Sequence, residues 1–251
     1  MKKAFPIPVI LLVLFLLLPV TGCSQQQVTI ESGKLLMMGN ENIAFLEIAN
    51  GRPTGFSADL ATAIAEHLGL KLEVTLEPFS GLFSRLKAGR SDIVMSAVTI
   101  TPERKAEMDF SQSYFSSGQA LLVPLGSKIT NESDLKGKTV GVLKDSTNQK
   151  EAEKIQGIKE IVKFDTKPPI FDALLAGRLD AVICDTPFAQ FNAKKTGKTR
   201  IAKVLTRGDR YGIALKKGNT RLLGRINNAL TNIKHDGMYD RLYNKYFGAK
   251  I

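Results

Sequence analysis

The 251-residue chain holds two cysteines and two histidines, and that scarcity excludes several chemistries at once. His67 and His235 lie far apart, each inside a helical pattern, and no Cys/His/carboxylate cluster carries metal-ligand spacing. Neither a metal nor another cofactor is expected. If Cys23 is modified, as argued below, Cys184 has no partner, so no intramolecular disulfide is expected and stability must come from an apolar core. No basic cluster is interleaved with aromatic residues, which argues against nucleic acid despite a formal charge of +11. The apolar run at 7–18 falls short of the roughly 20 residues that a comfortable membrane-spanning helix needs.

That run is nevertheless informative. Lys2 and Lys3 precede it, Pro8 alone interrupts it, and Val20-Thr21-Gly22-Cys23 closes it. A basic start, an apolar stretch and small residues at the end make a signal peptide over 1–22. The closing four residues resemble the bacterial lipobox. The resemblance implies cleavage ahead of Cys23, acylation of its thiol by a palmitate-type chain, and an extracytoplasmic protein anchored to a membrane by lipid. An ordinary cleaved signal, or a plain membrane anchor, is the competing reading. Residues 24–27 are polar and read as a solvated tether, so 23–28 connects the lipid to the fold. Removing Lys2 and Lys3 lowers the formal charge from +11 to +9, which favours anionic lipid or acidic solutes if it favours anything.

Beyond residue 28 the pattern alternates. Ser57 is a candidate N-cap for a helix carried by Leu60, Ala61, Ile64, Ala65 and Leu68 and ended by Gly69. Leu70, Leu72, Val74 and Leu76 alternate as a strand, 82–87 reads as a short helix, and 92–98 reads as a buried strand. Strand and helix patterns follow at 139–143, 160–164, 170–176 and 180–184, and the chain ends in helices at 222–233 and 238–247. Such alternation predicts an α/β fold with largely parallel pairing.

An internal echo adds organisation. Phe83, Leu86, Ala88, Gly89, Arg90, Asp92 and Val94 recur at the same spacing as Phe171, Leu174, Ala176, Gly177, Arg178, Asp180 and Val182. Each copy is helix, glycine stop, strand. Chance likeness of such units is the competing reading; shared architecture predicts two lobes with a cleft between them. Ligands of open α/β sheets sit beyond the carboxyl ends of strands, which here fall at 96–99 and 184–186.

Polar residues gather at those ends. Thr99 and Arg104 put a hydroxyl and a planar guanidinium fork within reach of one carboxylate. Asp185 can accept hydrogen bonds from an ammonium group, and Ser146 and Thr147 follow the strand at 139–143 with further donors. Plainer readings exist: a surface ion pair of Arg104 with Glu103 or Glu107, and helix caps or turns for Asp185, Ser146 and Thr147. Taken together the residues answer the recognition problem that an α-amino acid poses.

At this point the sequence resembles a known family, the extracytoplasmic solute-binding proteins of polar amino-acid ABC transporters, family 3. The resemblance spans about 35–247. It rests on Asn50-Gly51-Arg52-Pro53-Thr54-Gly55-Phe56 followed by Asp59-Leu60-Ala61, on the diagnostic Ser96-Ala97-Val98-Thr99-Ile100-Thr101-Pro102-Glu103-Arg104, on Asp109-Phe110-Ser111 with Tyr114-Phe115, and on two second-lobe landmarks at 135–142 and 176–181. It implies a two-lobe, periplasmic-binding-protein-like (type II) fold, each lobe a mixed, mostly parallel sheet flanked by helices. Lobe 1 would be discontinuous, 29–117 with 213–251, and lobe 2 would be 118–212. Arg104 would pair with the ligand α-carboxylate, helped by Thr99 and by Thr147 from the other lobe. Ser96 and Asp185 would hold the α-ammonium, Phe79 would wall the side-chain pocket, and Asn148 would reach the side chain.

Departures concern the side chain. Asn42 stands where the family often has a stacking aromatic, in the run Asn42-Ile43-Ala44 before Phe45. Gly39 matches an acidic residue of basic amino-acid binders, with Glu41 as a possible substitute, and Ala97 replaces a residue that is often serine or glycine. The expected function is non-enzymatic capture of a polar amino acid by lobe closure and delivery to an ABC permease, by a monomer. The rivals are a ligand-sensing lipoprotein and a cyclohexadienyl-dehydratase-like enzyme, which needs a general acid in the cleft.

Overall fold

The computed structural model describes residues 28–42 and 45–248. The expected signal peptide at 1–22, Cys23, the expected tether at 24–27, Ile43 and Ala44 of the loop departure, and 249–251 of the expected first lobe lie outside the described residues.

A first segment gives β1 (Lys34–Gly39), a hairpin of β2 (Glu47–Ala49) and β3 (Arg52–Thr54), α1 (Phe56–Leu68), β4 (Lys71–Leu76), α2 (Phe79–Lys87), β5 (Ile93–Val94), α3 (Pro102–Glu107) and β6 (Met108–Phe110). β7 (Phe115–Ser117) leads out of it. A second segment gives β8 (Gln119–Pro124), β9 (Thr139–Leu143), α4 (Thr147–Lys154), β10 (Glu160–Phe164), α5 (Pro168–Leu175), β11 (Ala181–Asp185), α6 (Thr186–Thr196) and β12 (Thr199–Val204). β13 (Asp209–Tyr211) leads back to β14 (Ala214–Lys216), α7 (Thr220–His235) and α8 (Met238–Phe247).

These elements form two five-stranded sheets, ordered β4-β1-β5-β14-β6 and β10-β9-β11-β8-β12. In each sheet three strands at one edge run parallel, and the other two join antiparallel. The expectation of mainly parallel pairing therefore describes half of each sheet. The strands that join antiparallel, β6 and β14 in one sheet and β8 and β12 in the other, are those whose chain has just crossed, or is about to cross, between sheets. The crossing itself is a two-stranded ribbon in which Ser117, Ser116 and Phe115 of β7 face Asp209, Arg210 and Tyr211 of β13.

Local details explain where boundaries moved. α1 starts at Phe56 with Gly55 as its N-cap, not Ser57. Gly55 has φ 107, and a Cβ there would sit 2.5 Å from the Phe45 carbonyl, so no capping side chain fits. β5 is shorter than the expected 92–98 because Ala97 turns the chain through the left-handed region at φ 51.

The echoed units have the same local structure. Gly89 and Gly177 both close their helices at φ 71. Asp92 accepts from Leu36 N–H at 2.8 Å while its own N–H donates to Leu36 O at 2.9 Å. Asp180 repeats the exchange with Thr139 at 2.9 Å in both directions. In each copy the aspartate clamps the strand start to the neighbouring parallel strand.

One core lies under β1, α1, α7 and α8, and all five tyrosines join an aromatic cluster there around Phe45, Phe56 and Phe115. A second core joins Phe79, Leu82 and Leu86 from one sheet's side to Leu143, Ile170, Phe171 and Phe188 from the other. The two sheets thus meet across the cleft, and Phe79 N–H donates to Asp165 O at 3.2 Å to tie them.

Candidate functional site

The meeting point of the strand ends encloses a small cavity of about 10 Å³, room for about one water. It is lined by Phe79, Ala97, Thr99 and Arg104 from the first sheet's side and by Leu143, Ser146, Thr147, Asn148, Lys167 and Asp185 from the second. It opens beside a recess of about 180 Å³ that shares Arg104 and Thr147. A larger cavity of about 870 Å³ lies between β7, α6 and α8, and none of the expected ligand-binding residues lines it.

Arg104 sits on α3, whose N-cap Thr101 accepts from Arg104 N–H at 3.3 Å. That cap aims the side chain back into the cleft, where one guanidinium N–H donates to Thr99 O at 2.9 Å. The guanidinium lies 5.6 Å from the Phe79 ring and 4.9 Å from the Phe83 ring. The ion-pair alternatives fail, because Glu107 pairs with Lys87 at 2.7 Å and Glu103 is exposed. Burial pushes the Arg104 pKa down to about 10, with Asp185 and Glu103 pulling the other way. The group stays charged at neutral pH but is under-solvated, the condition in which an incoming carboxylate gains most.

Asp185 occupies the N-cap position of α6 yet makes no side-chain cap bond. Its carboxylate instead turns into the cleft. Lys167 Nζ lies 2.7 Å from Oδ2, and Asn148 Nδ2 donates to Oδ1 at 3.2 Å. Gln119 joins through Asn148 Nδ2 at 3.4 Å. The plain capping reading of Asp185 is thereby excluded. Cys184 beside it is buried and its thiol pKa is pushed well up by burial, so it packs as an inert small residue.

Ser146 does cap: its hydroxyl accepts from Gln149 N–H at 3.2 Å and donates to Leu143 O at 2.6 Å. It shapes the N-terminus of α4, on which Thr147 and Asn148 face the cavity. Ser96 and Asn42 do not line the cavity. Ser96 Oγ accepts from Asn40 N–H at 2.7 Å and locks the ends of β1 and β5 together. Asn42 is buried in a turn closed by its N–H to Leu46 O at 2.8 Å. Gly39 is sterically fixed, since a Cβ there would collide with Leu46 Cδ2 and lie 3.2 Å from Met95 O. Lys167, Leu143 and the Gln119 relay were missed. Lys167 sits just past the carboxyl end of β10, and applying the strand-end rule to that strand as well would have found it.

A family model for bacterial extracellular solute-binding proteins, family 3, matches residues 37–249. The chain belongs to this family. It is 37% identical over 209 residues to a probable histidine-binding protein of Neisseria gonorrhoeae, covering 80% of this chain and 78% of that one. Among solved structures, an ancestral arginine-binding protein bound to glutamine superposes with TM-score 0.82 at 39% identity, covering 87% of this chain and 99% of that one. An ancestral amino-acid-binding protein described as a precursor of cyclohexadienyl dehydratase superposes with TM-score 0.79 at 36% identity, covering 86% and 95%. The fold is the two-lobe type II binding-protein fold. Among the described residues no helix is long and apolar enough to cross a membrane.

Proposed function

We propose that this protein captures a polar amino acid between its two lobes, 29–117 with 213–251 and 118–212, and presents the closed form to an ABC permease. The observation that carries the reading is the pairing of Arg104 from one side with an uncapped Asp185 from the other around a single cavity. Arg104, with Thr99 and Thr147, takes the α-carboxylate. Asp185 takes the α-ammonium, and Phe79 and Asn148 bound the side chain. Ser96 supports the site through Asn40. Closure requires the lobes to rotate about the β7–β13 ribbon, a hinge motion of the usual kind. The cavity must widen to admit a ligand, and opening at that ribbon does so.

The protein acts as a binder and not as a dehydratase. A general acid must be free to reach the leaving group, and among the described residues the one carboxyl lining the cavity is held by Lys167 and Asn148. Cys23 is the acylated anchor, and 24–27 leaves a monomer free to open and close beside its permease outside the cytoplasm. A sensor lipoprotein would carry the same site; loss of amino-acid uptake on gene deletion separates the two.

The test is a thermal-shift screen across the amino acids. A ligand at 100 times its Kd adds about 2.7 kcal/mol, or roughly 5–11 °C for a protein of this size. At least one amino acid should reach that shift. No shift with any of them, together with a silent Arg104→Ala, would end the proposal.

A further inference from the structure

The amino-acid reading uses Arg104 and Asp185 and gives Lys167 no task. Its side chain is 5% exposed, and its ammonium lies 2.7 Å from Asp185 Oδ2 and 5.6 Å from the Phe188 ring. Among the described residues three ionisable side chains line the cavity, namely Arg104, Lys167 and Asp185. Two are cations and one is an anion, so the enclosure carries one positive charge in excess. Glu103, Glu107 and Asp145 line the neighbouring recess, but all three are exposed, where water and salt screen them.

The ligand must complete this count. A zwitterion with a neutral side chain leaves the excess unchanged. A cationic side chain doubles it inside a space nearly closed to water, where unpaired charge is strongly disfavoured. A second carboxylate cancels it.

We propose that Lys167 selects a ligand with an acidic side chain, an amino acid such as glutamate or aspartate. The inference rests on the amino-acid reading of the site. Arg104 holds the α-carboxylate, Asp185 lies between the Lys167 ammonium and the ligand α-ammonium, and Lys167 takes the side-chain carboxylate. An ionised carboxylate offers about four acceptor sites, so Asp185 serves both cations while keeping Asn148. Two other features agree. Leu46 fills the space an acidic side chain at Gly39 would need. The Phe79 ring already has the Arg104 guanidinium 5.6 Å from its centroid, so a cationic side chain stacked on Phe79 would add a second cation beside that ring.

The experiment is calorimetric titration of the purified protein with L-glutamate, L-aspartate, L-glutamine, L-asparagine and L-arginine, repeated on Lys167→Met and Lys167→Arg. An acidic amino acid should bind about tenfold or more tighter than its amide, with arginine weaker still. Lys167→Met should remove that preference, bringing the acid-to-amide affinity ratio to within about threefold of one, and Lys167→Arg should retain it. The inference is overturned if the wild-type protein binds an amide or arginine as tightly as the acids, or if Lys167→Met leaves the acid-to-amide ratio unchanged. Binding of amino acids without acid preference sinks the role of Lys167 alone. Binding of none of the five, with no shift in the wider screen, sinks the amino-acid reading and this inference with it.

Discussion

Replacing Arg104 by alanine should separate affinity from stability. In the ligand-free protein the guanidinium is disfavoured by burial: a pKa drawn down from its ordinary value to about 10 corresponds to about 3 kcal/mol against the charged form. Against that stand one charge-assisted hydrogen bond to Thr99 O, contributing about 1.5 to 3 kcal/mol, and two ring contacts of about 0.5 to 1 kcal/mol each. The two sides nearly cancel, so urea denaturation of Arg104→Ala should give an unfolding free energy within about 1.5 kcal/mol of the wild type. Ligand binding has no such offset. Leaving the α-carboxylate buried without its partner should cost about 2 to 5 kcal/mol, an affinity loss of about 30-fold to several thousand-fold by calorimetry. A loss under about fivefold, or a fall in ligand-free stability of more than about 3 kcal/mol, would refute the reasoning.

Other substitutions test neighbouring parts. Asp185→Asn should destabilise the ligand-free protein by on the order of 3 kcal/mol, because Lys167 stays buried without its counter-charge, and the double variant with Lys167→Met should recover most of it in chemical denaturation. Asp92→Ala removes the carboxylate that accepts from the Ile30 and Leu36 N–H groups and should cost about 2 to 4 kcal/mol. Asp180→Ala orphans Thr139 N–H at a more exposed place and should cost about 1 kcal/mol. Burial raises the Asp92 pKa above its ordinary value, outweighing the two N–H donors, so the folded state holds that proton more tightly than the unfolded chain. The Asp92 contribution to stability therefore falls as pH climbs from about 4 through the folded pKa and is flat above it; Asp92→Asn should flatten that slope in denaturation midpoints measured between these pH values. Gly118, between β7 and β8, lies so close to Thr206 O that a Cβ would collide with it, and Gly118→Ala should lower stability by about 1 to 3 kcal/mol, read from the thermal midpoint.

Much of this architecture is written in local patterns. Alternation marked β4 and the helical face of α7, and the echo marked two equivalent helix-glycine-strand units, because both depend on short-range spacing; that Asp92 and Asp180 act as equivalent clamps emerged only with the structure. What escaped depends on the third dimension. The N-cap of α1 moved to Gly55 because the chain folds back on Phe45, a long-range contact with no local signature. β5 ended early at the left-handed Ala97, whose side chain gives no hint of φ 51. Arg104 and Asp185 could be read as ligands because strand ends are legible. Lys167 follows a strand end as well, but its burial against Asp185 and Phe188, on β11 and α6, has no local signature. Ser96 looked like a ligand by position, but its hydroxyl is bound to Asn40 N–H.

The central claim is that one ligand presents a carboxylate to Arg104 and an ammonium to Asp185 at the same time. It is tested most directly by titrating the best-binding amino acid beside its α-methyl ester and its N-acetyl derivative. Loss of either charged group should weaken binding by about 30-fold or more. An ester and an N-acetyl derivative that both bind within about threefold of the parent would contradict it.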